Sequence, residues 1–139
     1  MKVQTSMTFT NGMFGYATNF NQDISKWATS KVIDMSGMFL SAAAFNQDIS
    51  NWNTLSVNNM DRMFQFATNF NQNLRKWCVN ISEPVNFALG SPLENNTAFQ
   101  PLWNGTGCTN REENNDQLAI IVGASVGGVV LCIVVAFLI

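Results

Sequence analysis

The apolar positions of this chain recur at a fixed interval. Met13, Phe14, Ala17 and Phe20 are followed 25 residues on by Met38, Phe39, Ala42 and Phe45, and 25 further on by Met63, Phe64, Ala67 and Phe70. Offsets of 0, 1, 4 and 7 would lie on one face of a two-turn helix. A polar Asn-Gln turn comes next (Asn21, Asn46, Asn71), then an apolar residue (Ile24, Ile49, Leu74) and a tryptophan (Trp27, Trp52, Trp77). A Val-x-x-Met segment closes the first two copies, and it predicts short strands over Lys31–Asp34 and Ser56–Asn59. One helix-like and one extended element per copy predicts an α/β architecture, a leucine-rich-repeat-like solenoid of 25-residue repeats in which each coil hides its apolar face against its neighbours.

Copies 13–37 and 38–62 share 13 of 25 residues without a gap, which chance does not supply, and a third copy occupies 63–87. Residues 1–12 align with the tail of a repeat, Met7 opposite Val32 and Gly12 opposite Gly37, so the chain is expected to start in mid-repeat as part of something longer. The third copy decays: Asn73 replaces the aspartate, Cys78 follows the tryptophan, Pro84 interrupts the strand and Val85 stands where methionine was. Such decay is expected of a terminal cap. Residues 88–117 then read as cap and polar stalk.

From Leu118 to Ile139 there is no charge, Asn, Gln or Pro. A helix of that length would extend about 33 Å, against roughly 30 Å of bilayer hydrocarbon, and predicts a single membrane span. The acidic flank before it, Glu112, Glu113 and Asp116, favours repeats on the outside and a plasma-membrane location. A lipid-anchor signal, with small residues Gly105, Thr106 and Gly107 ahead of a polar spacer and the apolar tail, is the alternative.

Composition narrows the chemistry. A formal net charge of -2 offers no basic stripe, so nucleic acid is not an expected partner. There is no histidine, which removes His-based triads, His metal sites and His general acid/base catalysis. No phosphate-binding loop, nucleophile elbow, CxxC pair or dinucleotide fingerprint occurs, and no cofactor, metal or enzymatic activity is expected. Asp23 and Asp48, one coil apart, could bind calcium or act as an acid/base couple; the competing expectation is that the Asn-Gln-Asp turns form polar ladders, each side chain bonding its own backbone or the next coil.

Cys78 and Cys108 could form a disulfide in an oxidising compartment, or be two unrelated thiols, while Cys132 lies in the apolar tail. Three N-glycosylation triplets, at Asn80, Asn95 and Asn104, lie between the third repeat and the tail. The row Trp27, Trp52 and Trp77 could stack on sugars or anchor a partner, or could pack between coils. Positions between the repeated ones vary, and Lys31 and Asp34, with Lys26, Asn51, Ser56 and Asn59, are candidates for a ligand surface because the scaffold does not dictate them.

The repeat body, MF-x-x-A-x-x-FNQDIS-x-W followed by Val-x-x-Met, resembles the BspA-type leucine-rich-repeat surface proteins, also described as the mycoplasma lipoprotein-associated repeat domain. Phe20–Ser25 and Phe45–Ser50 carry the motif intact, as do Trp27 and Trp52, whereas Phe70–Arg75 departs from it at Asn73 and Arg75. The resemblance implies an exposed array with protein binding or adhesion as its role. The sequence thus predicts a non-enzymatic cell-surface module that binds an extracellular protein or glycan, or alternatively a structural coat or wall protein.

Overall fold

The coils of this chain are built from turns. The structure, a computed structural model, describes Thr8, residues 10–106 and Cys108. The chain divides into two compact units, 1–109 and 110–139, and the described residues all belong to the first. Among them the regular elements are two 3-10 helices, Pro92–Asn95 and Trp103–Gly105, and two isolated parallel bridges, Asp34 with Asn59 and Cys78 with Leu102.

The apolar run Met38–Phe45 shows why a helical pattern does not make a helix here. Met38, Leu40, Ala42 and Phe45 each donate their N–H three residues back, to Met35, Gly37, Phe39 and Ala42, in a chain of overlapping turns. Gly37 (φ 58°) and Ser41 (φ 56°) stand third in the turns 35–38 and 39–42, with the positive φ that a type II turn requires and a right-handed helix forbids. The alternate N–H groups, released from the helical pattern, point out of the coil. Gly37, Phe39 and Ser41 donate to the carbonyls of Asp61, Met63 and Gln65 in the next coil at 2.7–2.9 Å. The preceding coil repeats this, with Gly12, Phe14 and Tyr16 donating to Ser36, Met38 and Leu40.

Each backbone bond therefore crosses one full repeat, and identical side chains come to lie over one another. Phe14, Phe39 and Phe64 form one column (ring centroids 5.7 and 5.5 Å apart), and Phe20, Phe45 and Phe70 a second (5.8 and 5.6 Å). The two columns touch at 3.9 Å within every coil. Trp27, Trp52 and Trp77 make a third column, with 6.3 Å between neighbouring rings. Met38, Phe39, Ala42, Phe45, Met63, Phe64, Ala67 and Phe70 are completely buried, so the positions picked out by hydrophobic spacing are the core even though no helix carries them.

After the third tryptophan the repeat loses a residue. Arg62, Phe64 and Phe66 donate to Val85, Phe87 and Leu89, a step one residue shorter than between the earlier coils. Pro84 consequently takes the place of Met35 and Met60, and its carbonyl accepts from Phe87 as theirs do from Met38 and Met63. Phe87 falls at the methionine position, Ala88 where the phenylalanine column would continue. The freed space admits Phe87 edge-on to Phe64, and Trp103 edge-on to Phe87. Gly90 (φ 76°) lies beneath the Phe66 ring so closely that a Cβ would sit 2.5 Å from it. Its N–H, the donor that would reach a further coil, is taken by Glu94 Oε2 at 2.9 Å. A disulfide between Cys78 and Cys108, Cα atoms 5.4 Å apart, ties the third coil to the end of this cap. Closing a loop of this separation, 30 residues, stabilises by about 3 to 4 kcal/mol.

Several expectations are corrected by this architecture. The chain is not an α/β leucine-rich-repeat-like solenoid: the helix expected over Met13–Phe20 and its copies is a run of turns, and the strands expected over 31–34 and 56–59 reduce to the single bridge between Asp34 and Asn59. The single membrane span and the plasma-membrane, extracellular placement that accompanied it are likewise not supported, since among the described residues no helix is long and apolar enough to cross a membrane. Residues 118–139, where that transmembrane helix was expected, lie outside the described residues.

The columns make a graded prediction. Trp52, buried and donating its indole N–H to the Ile24 carbonyl at 3.1 Å, should cost about 3 to 5 kcal/mol when replaced by alanine. Trp27→Ala, at a half-buried position, should cost less than half as much. Denaturant midpoints of the two variants check the order.

Candidate functional site

The polar turn of each coil is where exposed chemistry concentrates, and most of it serves the backbone. Asn21 Oδ1 accepts the Asn46 N–H at 3.0 Å, and Gln47 Nε2 donates to both the Asn21 carbonyl and Oδ1. One coil on, Asn46 receives the same bonds from Asn71 and Gln72. The ladder ends in the cap, where Asn96 Nδ2 reaches Asn71 Oδ1 at 3.3 Å. Amides suit this task because one side chain can give and accept in the same plane.

Asp23 and Asp48 form a separate set. Each carboxylate caps the N–H two residues on, Ser25 and Ser50, at 2.9 Å. The Ser25 hydroxyl and N–H hold Asp23 below the usual carboxylate range; for Asp48 the Ser50 N–H leads, then the Ser50 hydroxyl, with the Lys76 charge helping. Asn73 makes the same bond to the Arg75 N–H, so a neutral acceptor suffices for the turn. Among the described residues no group of three acidic or cysteine side chains is placed to hold a metal.

The expected site residues fall into three groups. Trp52 and Trp77 are buried, with indole N–H groups donating to Ile24 and Ile49, so as candidate ligand surface they are corrected: coil stacking covers their faces. Trp27 is half-buried at the first coil. Asp34 is engaged too, its side chain capping Ser36 N–H at 2.8 Å and its carbonyl taking Thr10 N–H and Oγ1. Lys31 stands exposed. Asn80, Asn95 and Asn104 are all exposed in the cap region, Asn104 with left-handed backbone (φ 59°). Cys78 and Cys108 are disulfide-bonded.

Two features escaped the sequence reading. Thr10, Thr29 and Thr54 are buried and donate their hydroxyls to the next coil, at Asp34, Asn53 and Cys78; the signal was the identity of Thr29 and Thr54 at one repeat spacing. The second is a groove of about 270 Å³ lined by Asp48, Ser50, Gln72, Asn73, Arg75 and Lys76. It arises where the third copy leaves the pattern, because Asn73 and Arg75 replace the aspartate and serine of the earlier turns.

A family model described as "Mycoplasma protein of unknown function, DUF285" matches residues 3–100. The chain belongs to the DUF285 family. The match takes in the three aromatic columns and the cap as far as Gln100. No curated protein and no solved structure matches the chain.

The two aspartates predict an acid sensitivity. Their lowered pKa values mean that the stability they add is present above the ordinary carboxylate value of about 4 and is lost as pH falls through it toward the folded value. Asp48→Asn should match the parent at neutral pH and lose less on acidification, as Asn73 already supplies the same bond. Asp48→Ala should lose about 1 kcal/mol at neutral pH. Denaturant midpoints across the acid range check both.

Proposed function

We propose that this DUF285 chain is a non-enzymatic binding module, of the protein-binding or adhesion kind, that recognises a protein or glycan through the exposed polar turns of its coils. The observation that carries this reading is the division of labour along the repeat. Residues that recur are spent mainly on columns and ladders, while the groove around Arg75 and Lys76 joins the recurring Asp48, Ser50 and Gln72 to Asn73 and Arg75, which depart from the repeat. Its rim offers a guanidinium, an ammonium, a carboxylate and two amides within one shallow surface, a set that hydrogen-bonds sugars, carboxylates or polar peptide groups without performing chemistry on them. The neighbouring column Lys26, Asn51 and Lys76 and the exposed Lys31 extend the same variable surface.

A likeness of the repeat body to BspA-type surface proteins supports recognition over catalysis, and so does the absence of histidine. The aspartates that an acid/base couple would need are each already engaged by a serine N–H.

The test is a protein and glycan array probed with the full chain and with the double variant Arg75→Glu, Lys76→Glu. Both side chains are exposed, so the fold should persist. The expected result is saturable binding to at least one component that the variant weakens at least tenfold, a change of about 1.4 kcal/mol. Absence of any bound component, or equal binding by the variant, contradicts the reading.

A further inference from the structure

The polar groove between the second and third coils has a counterpart one repeat earlier, built on the same backbone bonds. Its lining residues Asp48, Ser50, Gln72, Asn73, Arg75 and Lys76 correspond at repeat spacing to Asp23, Ser25, Gln47, Asp48, Ser50 and Asn51. The earlier set carries two carboxylates and no cation, with the Lys26 charge beside Asp23. The groove carries one carboxylate, a guanidinium and an ammonium. Asn73, Arg75 and Lys76 thus turn a surface that repels an anion into one that attracts it. The scaffold is unchanged, because Gln47 and Gln72 make the same pair of bonds to the preceding asparagine.

Three side chains of the groove are held at one end and open at the other. Asp48 takes the Ser50 N–H at 2.9 Å and is kept ionised by that bond and by the Ser50 hydroxyl. An ionised carboxylate accepts at both oxygens, so Asp48 retains acceptor capacity toward the groove. Gln72 Nε2 donates to the Asn46 carbonyl and Oδ1 at 3.0 and 2.9 Å, and its Oε1 receives no bond from any described residue. Asn73 Oδ1 takes the Arg75 N–H at 2.9 Å, and its Nδ2 donates to no described residue. Two anchored acceptors and one anchored donor therefore stand beside the mobile cations of Arg75 and Lys76. Groups already fixed in this way lose little freedom when a ligand binds.

We infer that the ligand of this groove is a carboxylated sugar residue of a glycan, its carboxylate paired with Arg75 and Lys76 and its ring hydroxyls bonded to Asp48, Gln72 and Asn73. This rests on the reading of the groove as a recognition site and narrows it to one chemical class. A planar carboxylate matches the guanidinium fork with two parallel bonds. Asp48 repels a second carboxylate or the second charge of a phosphate, yet accepts readily from hydroxyls. Asp48 and Gln72 Oε1 call for donors close to the ligand's own carboxylate. Ring hydroxyls supply them, and the side chains of an acidic peptide do not. The groove's 270 Å³ lies below the roughly 300 Å³ at which pockets begin to enclose drug-sized ligands, which suits one sugar residue of a longer chain.

The experiment titrates the full chain by calorimetry with two acidic probes, a galacturonic acid trisaccharide and sialyllactose, which separate uronic from sialic acid as the source of the carboxylate. Each is paired with its counterpart in which the carboxyls are reduced to alcohols, and hexaglutamate serves as the acidic peptide. The expected result is saturable binding of at least one acidic sugar, weakened at least tenfold by carboxyl reduction. The double variant Arg75→Ser, Lys76→Asn should weaken it as much. That variant installs the residues of the preceding turn, Ser50 and Asn51, so its denaturant midpoint should match the parent's. No saturable binding of either acidic sugar in the millimolar range, or equal binding of the reduced sugars, overturns the inference. Hexaglutamate binding as tightly as the sugars and competing with them also overturns it, since charge alone would then be read. A neutral sugar or a peptide found on the array and lost in Arg75→Glu, Lys76→Glu would leave the proposed function standing while this inference falls.

Discussion

The bond from the Phe39 N–H to the Met63 carbonyl, at 2.9 Å, sets the register on which the stacked coils depend. It and its neighbours at Gly37 and Ser41 lock each residue over its counterpart one repeat away. Only in that register do three aromatic columns form, and only then does each asparagine meet the backbone of the next. A slip of one residue would turn Phe39 and Phe45 away from Phe64 and Phe70 and place polar groups between coils. Pairs of stacked rings contribute about 0.5 to 1.5 kcal/mol each beyond their burial, so the columns both depend on the register and stabilise it.

The register also explains why strained backbone is tolerated. Tyr16, Ser41 and Phe66 occupy left-handed conformations at repeat spacing (φ 62°, 56° and 58°), where L-residues lose about 1 to 2 kcal/mol each. Those conformations rotate alternate N–H groups outward, which is what makes the inter-coil bonds. Glycine fills the partner turn position in the first two coils, at Gly12 and Gly37, and the position in the cap at Gly90, where the Phe66 ring leaves no room for a Cβ.

The repeat period, the buried residues and the polar ladder were legible in the chain because each follows from comparing the sequence with itself. The local conformation was not. Offsets of 0, 1, 4 and 7 fit a helix face, yet successive type II-like turns bury the same set, and periodicity alone does not separate them. Gly37 at the end of one copy and Gly12 before another were the available hint, since glycine recurring at one place in successive turns argues for positive φ. The missing residue before Pro84 was hidden for a related reason: an ungapped alignment puts Val85 against methionine, and only the backbone bonds show Pro84 there. The tryptophan row shows the limit for function, since a repeated aromatic reads equally as a binding ladder and as a core column until burial decides it.

What distinguishes the account from a helical repeat is the identity of a few hydrogen-bond partners, and this can be read directly in solution. Through-hydrogen-bond scalar couplings between amide nitrogens and carbonyl carbons should connect Phe39 to Met63, Gly37 to Asp61 and Ser41 to Gln65, one repeat ahead in each case. Couplings from Phe39 to Met35 and from Ser41 to Gly37, four residues back within one coil, would establish a helix there and contradict the stacked-turn architecture.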